Sequence, residues 1–346
     1  MCSEQTVKRP SLCIEWVSSG NMNYARYLHT ASVLANGKVL ITGGYNTASL
    51  NSAELYDSSA ATWITTASMN FPRRAHTASV LTNGKVLVSG GYITSSNFTN
   101  SAELYDPSTE VWTTTGNMNF PRYEHTASVL TNGKVLVSGG YITSSSFTKS
   151  AELYDPLTGV WTLTGNMNFP RGEHTASVLT NGKVLVTGGY ISSSSITNSV
   201  ELYDSSTELW TTIVNMTEPK REHAACVLTS GKILVIGGFN GNYLSSAELY
   251  DSSTGMWTNT GNMSYIRGYH KGILLPNGKV LVTGGYDGNS LQSAELYDSS
   301  TEVWSVTTNM SFARRRHTVS VLTNGKVLVA GGLSNSALSS SELYDL

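Results

Sequence analysis

Charge is scarce in this sequence. Asp, Glu, Lys and Arg make up 13% of its 346 residues, where a globular domain ordinarily carries about a quarter. The net charge of −2 gives no electrostatic ground for binding nucleic acid or an anionic membrane. Three cysteines, Cys2, Cys13 and Cys226, are too few for a disulfide framework, so a reduced, cytoplasmic setting is the default expectation. No apolar run approaches the about 18 residues of a spanning helix, and Met1 to Ser11 is too polar for a secretory signal. Sequons at Asn97, Asn215, Asn262 and Asn309 would matter only in an exported chain. Helical periodicity is missing as well. No segment repeats apolar residues at three- and four-residue spacing, which points to an all-β chain.

What is present is one sentence written seven times. Gly-Gly pairs begin at Gly43, Gly90, Gly139, Gly188, Gly237, Gly284 and Gly331, and tryptophans stand at Trp16, Trp63, Trp112, Trp161, Trp210, Trp257 and Trp304. Both series advance by 47, 49, 49, 49, 47 and 47 residues. A period near 50 marks a propeller or solenoid. The chain exceeds the about 250–300 residues at which one core stops growing, but stacked repeats need no single core.

One copy, His125 to Trp161, shows the unit. His125 to Leu130 reads as a short strand ended by Asn132-Gly133, the strongest short hairpin signal because both turn residues take positive φ. Val135-Leu136-Val137 is apolar on consecutive residues, which suits a strand buried on both faces. Gly139-Gly140 ends it at a close backbone approach or an unusual φ. Ala151 to Tyr154 forms a third strand, Asp155-Pro156 opens a turn, and Val160 to Leu163 forms a fourth. Each unit is therefore a four-stranded antiparallel sheet, which must stack on its neighbours to bury both faces.

The ends show how the array closes. Ile14-Glu15-Trp16 matches a fourth strand without its first three, and Ser341 to Leu346 is a third strand without its fourth. Together they complete one blade, and closure removes exposed edges. The expected fold is an all-β, seven-bladed β-propeller of four-stranded antiparallel blades, latched by the N-terminal outer strand pairing with the C-terminal strand. Residues 1–12 form a tail and 13–346 the propeller.

The apolar run, the Gly-Gly, the following Tyr and the Trp seven positions later (Gly91, Tyr105 and Trp112 in one copy) resemble the kelch repeat, across the chain from about Cys13 to Leu346. The longer form, with Asn-Gly-Lys and Ser-Ala-Glu-Leu-Tyr-Asp, is similar to kelch repeats of galactose-oxidase-like propellers. No Trp-Asp pair occurs, against the WD variety. The resemblance implies a substrate-receptor or scaffold part of a larger protein, and no adaptor domain accompanies the repeats.

Subtracting the repeat leaves little reactive chemistry. All seven histidines open first strands, seven of nine methionines are repeat positions, and 14 of 24 acidic residues belong to Glu-Leu-Tyr-Asp copies. Of 22 basic residues, seven are turn lysines and seven sit three positions before a histidine. Symmetry-related histidines on packed sheets stand about 10 Å apart, whereas a shared metal needs nitrogens within about 2.1 Å of it. No metal, cofactor or catalytic residue is expected. The galactose oxidase family's copper site uses a cysteine cross-linked to a tyrosine, a second tyrosine and two histidines. Tyr269 resembles the cross-linked tyrosine, but Glu222 stands one blade earlier where a cysteine is required. Cys226 reads as a small core residue.

In a four-stranded blade the first-to-second and third-to-fourth turns share one face of the ring. Here that face is nearly uniform. The other face carries the second-to-third loops and the connections between blades, and there the copies differ. The connections contribute a basic ring of Arg26, Arg73, Arg122, Arg171, Lys220, Arg267 and Arg314. The residue before each histidine is Leu28, Ala75, Glu124, Glu173, Glu222, Tyr269 or Arg316. Arg74 and Arg315 add charge, and Tyr27, Tyr123 and Tyr269 add aromatic surface of the kind enriched in interaction hot spots. The competing expectation for the repeated arginines is an ion pair with a glutamate of an adjacent blade. The reading is a monomeric, non-catalytic module binding a protein or peptide through Arg26, Tyr27, Arg73, Arg74, Arg122, Tyr123, Glu124, Glu173, Glu222, Tyr269, Arg315 and Arg316. Its alternative is a carbohydrate-binding or vestigial galactose-oxidase-like propeller without the copper site.

Overall fold

The second strand of every unit is buried along its whole length: Val39–Thr42, Val86–Ser89, Val135–Ser138, Val184–Thr187, Ile233–Ile236, Val280–Thr283 and Val327–Ala330. A computed structural model describes residues 16–94 and 97–345. These strands lie between neighbours in the same sheet and between flanking sheets. Each fully buried Val or Leu contributes about 1.5–3 kcal/mol of transfer free energy. Seven hydrophobic clusters follow. One joins Leu130, Leu136 and Leu153 of one unit to Val184, Val186 and Tyr203 of the next.

The sheets are seven four-stranded antiparallel blades in a ring. In the third blade the order is Thr126–Val129, Val135–Ser138, Ala151–Asp155, Val160–Leu163. First strands meet first strands around a central channel, and the series closes where Thr30–Val33 meets Thr318–Val321. The seventh blade takes its outer strand, Trp16–Asn21, from the other end of the chain, with Trp16 opposite Tyr344 and Val17 opposite Leu343. The latch expected from the two chain ends is present, although Ile14 and Glu15 lie outside the described residues, as do Cys2 and Cys13. Two small hairpins, Tyr92–Thr94 with Asn97–Phe98 and Tyr190–Ser192 with Ser195–Ile196, extend second-to-third loops. Among the described residues there is no helix, hence none long and apolar enough to cross a membrane.

The connections carry the arginines, and their position corrects the expectation of a basic surface ring. Arg26, Arg73 and Arg122 are completely buried, as are Arg171, Lys220, Arg267 and Arg314. Arg122 donates to the carbonyls of Gly139 and Ser150, to the Ser150 hydroxyl and, at 2.8 Å, to Glu152. Glu152 in turn accepts from the backbone N–H of Asn119 and Phe120. The partner is a glutamate of the blade that the arginine introduces, not of a neighbour, because the guanidinium folds inward against its own third strand. Burial lowers the Arg122 pKa and the Glu152 charge opposes that shift.

The same arginine joins blades. Its carbonyl accepts the N–H of the second glycine of the preceding Gly-Gly pair, from Gly44 to Arg73 at 2.8 Å round to Gly332 to Arg26 at 2.8 Å. This approach accounts for the first glycine of each pair, since a Cβ on Gly139 (φ 63°) would lie 2.5 Å from the Arg171 carbonyl oxygen. The second is confined by its own blade. Gly140 has φ 95°, and a Cβ there would lie 2.7 Å from the His125 Cβ and 2.8 Å from the Tyr123 carbonyl oxygen.

Two outcomes test this account. Deleting residues 1–21 removes the latch and bares the Ser340–Tyr344 edge, so the melting temperature is expected to fall and gel filtration to show self-association. A monomer with unchanged melting temperature would contradict it. Glu201→Ala leaves Arg171 buried without its partner at 2.7 Å, and urea unfolding is expected to show a loss of about 3–5 kcal/mol.

Candidate functional site

Seven residues surround the channel mouth in one unusual backbone conformation. Leu28, Ala75, Glu124, Glu173, Glu222, Tyr269 and Arg316 all have φ between 49° and 57°, a region that costs a non-glycine residue about 1 kcal/mol or more. The compensation is a closed circle of backbone hydrogen bonds. Each N–H donates to the carbonyl of its counterpart one blade back, from Ala75 to Leu28 at 3.0 Å through Arg316 to Tyr269 at 3.0 Å, and from Leu28 to Arg316 at 3.3 Å. The circle turns these side chains toward the mouth, and six of them line a cavity of about 250 Å³ over the channel. None is glycine or asparagine, so local sequence carried no sign of the conformation.

The charges at the mouth are paired across blades. The Arg316 guanidinium lies 4.6 Å from the centre of the Tyr269 ring and reaches Glu222 at 3.2 Å and Glu124 at 3.9 Å. Arg221 holds Glu173 at 2.5 Å and donates to the Tyr269 hydroxyl at 3.3 Å. Glu173 also accepts from the Tyr141 hydroxyl at 3.0 Å. Burial pushes the Glu222 pKa well up, with repulsion from Glu173 adding to it, and burial likewise raises Glu124 against the pull of Arg316. For Arg316 burial works toward deprotonation, but Glu222 and Glu124 outweigh it and the net shift is upward.

Outside this circle stands a collar of stacked planar groups. Its fixed members are the first residues of the variable loops, bridged by backbone pairing to the residue two before each histidine, as Tyr45 to Tyr27 and Tyr92 to Arg74. Arg74 lies between the rings of Tyr45 and Tyr92, at 4.2 and 4.6 Å. Tyr123 lies between Tyr92 and Tyr141, and Arg221 between Tyr190 and Phe239. Arg315 covers Tyr286 at 4.3 Å. Where the slot is Gly172 or Gly268, a loop aromatic, Phe147 or Tyr243, packs against it. A cavity of about 480 Å³ opens inside the collar over Leu28 and Ala75, walled by Tyr27, Tyr45, Arg74, Tyr92, Tyr123 and Tyr141. The mouth thus gathers Tyr27, Arg74, Tyr123, Glu124, Glu173, Glu222, Tyr269, Arg315 and Arg316, while Arg26, Arg73 and Arg122 lie beneath it in the fold.

Two participants escaped the sequence reading. Arg221 completes both the collar and the pair with Glu173. Lys271 stands in the channel wall where other blades have Thr30, Thr77, Thr126, Thr175 or Thr318, and it is exposed to the channel. Its departure from the His-Thr pattern was the available signal.

The histidines are internal. His125 Nε2 lies 3.0 Å from the Thr77 hydroxyl of the preceding blade, and five others meet threonine hydroxyls in the same way. His270 faces Ala224 and Ile236 instead and finds no hydroxyl. Burial lowers the pKa of all seven, His223 to about 3. Cys226 is a core thiol among Ala224, Leu228 and Leu249, its pKa pushed up to about 12 by burial. Among the described residues no three His, Cys, Asp or Glu side chains form a group suited to a metal.

The fold and its repeated elements define a kelch-type β-propeller. A kelch motif model matches residues 267–311. The family model described as the attractin/LZTR1 beta-propeller matches residues 13–248, more than half of the chain, and the chain belongs to that family. Among solved structures, it is similar to a fungal alcohol oxidase of the AA5 family in complex with copper. That match has 19% identity and a TM-score of 0.79, covering 96% of this chain and 76% of that one. A second similar structure, YjhT, has 18% identity and a TM-score of 0.67, covering 83% of this chain and 99% of that one. At these identities the likeness is one of fold. No relative is found among curated proteins.

The buried histidines predict a pH response. A histidine kept neutral by the fold contributes stability above its unfolded pKa of about 6.5, and that contribution is lost as pH falls toward the folded value. Glu124 and Glu222, raised in the fold, act oppositely, contributing below about 4.5 and losing that contribution as pH rises. Seven histidines outweigh two carboxyls. Unfolding free energy is expected to drop once pH falls below about 6.5, each histidine adding up to about 1.4 kcal/mol per pH unit. Urea titrations from pH 8 to pH 4 measure it, and His125→Gln is expected to reduce the slope.

Proposed function

We propose that this propeller is a non-catalytic recognition module that engages a protein or peptide on the mouth face. The observation carrying the reading is the 480 Å³ cavity over Leu28 and Ala75, formed where the seven copies depart from one another. The opposite face repeats a lysine–aspartate pair in every blade, such as Lys85 with Asp106 at 3.1 Å and Lys183 with Asp204 at 3.0 Å. Side chains held by inter-blade bonds and stacking are pre-ordered, which lowers the entropic cost of binding.

The residues present do not fit a copper site of the galactose oxidase kind. The Tyr269 hydroxyl accepts from Arg221 and its ring lies under Arg316, while Cys226, the one cysteine among the described residues, is in the core. A carbohydrate reading draws on the tyrosines, but sugar stacking needs open ring faces. Those of Tyr45, Tyr92 and Tyr123 are covered by collar neighbours. Protein or peptide recognition is therefore favoured.

Ala75→Tyr fills the cavity floor without new backbone strain, since Tyr269 holds the same conformation (φ 57° against 51°). Leu157→Asp alters a 94% exposed residue on the opposite face. With the partner purified, Ala75→Tyr is expected to weaken binding at least about tenfold at an unchanged melting temperature, and Leu157→Asp to leave it unaltered. The reverse pattern would place the interface on the other face.

A further inference from the structure

The charge inventory of the molecule narrows the partner's chemistry, on the premise that the mouth face is the binding face. Of the 22 basic residues, seven turn lysines each stand within 3.9 Å of an aspartate. Seven more are the buried cations of the blade connections, each paired with a glutamate. Eight remain, and five of these, Arg74, Arg221, Lys271, Arg315 and Arg316, stand at the mouth. The carboxylates lining the mouth are Glu124, Glu173 and Glu222, already engaged by Arg316 and Arg221, while Glu218, beside Lys220, and Asp287 stand farther out on the same face. Arg74, Lys271 and Arg315 form no ion pair among the described residues. Arg74 contacts only tyrosine rings, Arg315 a ring and the Ser290 hydroxyl, and Lys271 projects into the channel. The third-to-fourth turns on the far face bear the non-repeated acids Glu110, Glu208 and Glu302. The far face thus carries surplus negative charge, and at the mouth itself the five cations outnumber the three lining carboxylates.

These cations are placed to act together. The cavity over the first two blades and another of about 290 Å³ over the last two share Tyr27 and Arg316. Arg74 walls the first, whose lining also holds the already paired Glu124 and Glu173, and Arg315 walls the second, which has no carboxylate in its lining. Between them the ring presents Leu28 and Ala75, the two side chains without charge or a polar group, and Lys271 lies below. A guanidinium held over an aromatic ring can still offer N–H groups to the planar fork of a carboxylate, and of the two only Arg315 spends one nitrogen on a neighbour, the Ser290 hydroxyl.

We propose that the partner presents an acidic peptide segment whose carboxylate side chains seat between Arg74 and Arg315, with Lys271 beneath. The carboxylates that drew attention in the sequence are internal counter-ions that fix Arg316 and Arg221.

The test uses the full chain and fluorescein-labelled peptides of one Gly/Ser frame bearing four Glu, four Gln or four Lys, read by fluorescence polarisation at about 50 mM salt. The Glu probe is expected to bind at least about tenfold more tightly than the others and to weaken as salt rises. Arg74→Gln with Arg315→Gln is expected to cost about tenfold or more, Lys271→Gln about threefold, and Leu157→Asp nothing. Arg74→Lys, which keeps charge and collar packing, is expected to retain part of the affinity, so loss of the fork is separable from loss of folding. Equal binding of the Gln or Lys probe, no binding of the Glu probe, or indifference to the double substitution would overturn the proposal. So would displacement of the Glu probe by millimolar inorganic phosphate at constant ionic strength, which would mark a free-anion site. If Ala75→Tyr abolishes capture of the purified partner while no Glu probe binds, the mouth-face reading stands and only the acidic chemistry fails.

Discussion

A buried cation at each blade entrance is the constraint on which the rest of the disc depends. Removing a guanidinium from water costs several kcal/mol unless its donors are met. Here the fold meets the two terminal nitrogens with two carbonyls, a serine hydroxyl and a glutamate, as Arg171 finds in Gly188, Ser199 and Glu201, and leaves only Nε without a partner. The same residue offers its carbonyl to the preceding blade's Gly-Gly. One side chain therefore anchors the connection to its own blade while its backbone joins that blade to its neighbour. The fifth blade shows what the arrangement requires. Lys220 has a compact ammonium in place of the fork, and Glu218 appears beside it, 3.8 Å away, where other blades expose an aromatic residue such as Phe120 or Phe169.

That anchoring accounts for the form of the site. Seven connections held in register place seven residues at the mouth with their N–H groups in reach of the adjacent carbonyls, and the circle of hydrogen bonds holds each in a left-handed conformation that none would favour alone. The scaffold accepts side chains of very different kinds at those positions, because the bond is made by backbone. Leucine, alanine, glutamate, tyrosine and arginine occur in one molecule at φ between 49° and 57°. Variation is concentrated where the fold tolerates it, which is also the entrance of the channel.

The repeat made the blade count, the strand order, the turns and the latch readable before any coordinates. Unbroken apolar triplets and Gly-Gly kept the meaning read from them, whereas Asn-Gly marked where each hairpin turns but not its geometry. Only the glycine takes positive φ (Gly133, 80°), and the turn runs from Leu130 to Lys134 with the Asn132 side chain accepting from the Lys134 N–H. The exchange of an outer strand between the chain ends followed from the phase of the fragments alone. Exposure was not readable. Arg122 and Arg74 are both arginines on a blade connection, yet the first is buried against Glu152 and the second lies between two tyrosines at the surface. Recurrence separates them in hindsight, since a residue needed in every blade serves the blade and one that varies does not. The collar stayed hidden because its members come from different loops and meet only when neighbouring blades are stacked.

Sequence by itself determined a closed ring of seven four-stranded sheets, because its periodic signals are local and each copy repeats the same short-range physics. Tertiary structure decided which charges face solvent and which are cancelled. Pairs such as Arg316 with Glu222, 94 residues apart, arise only when closure brings distant blades across one channel. Coulomb attraction depends on that distance through space, which no spacing along the chain encodes.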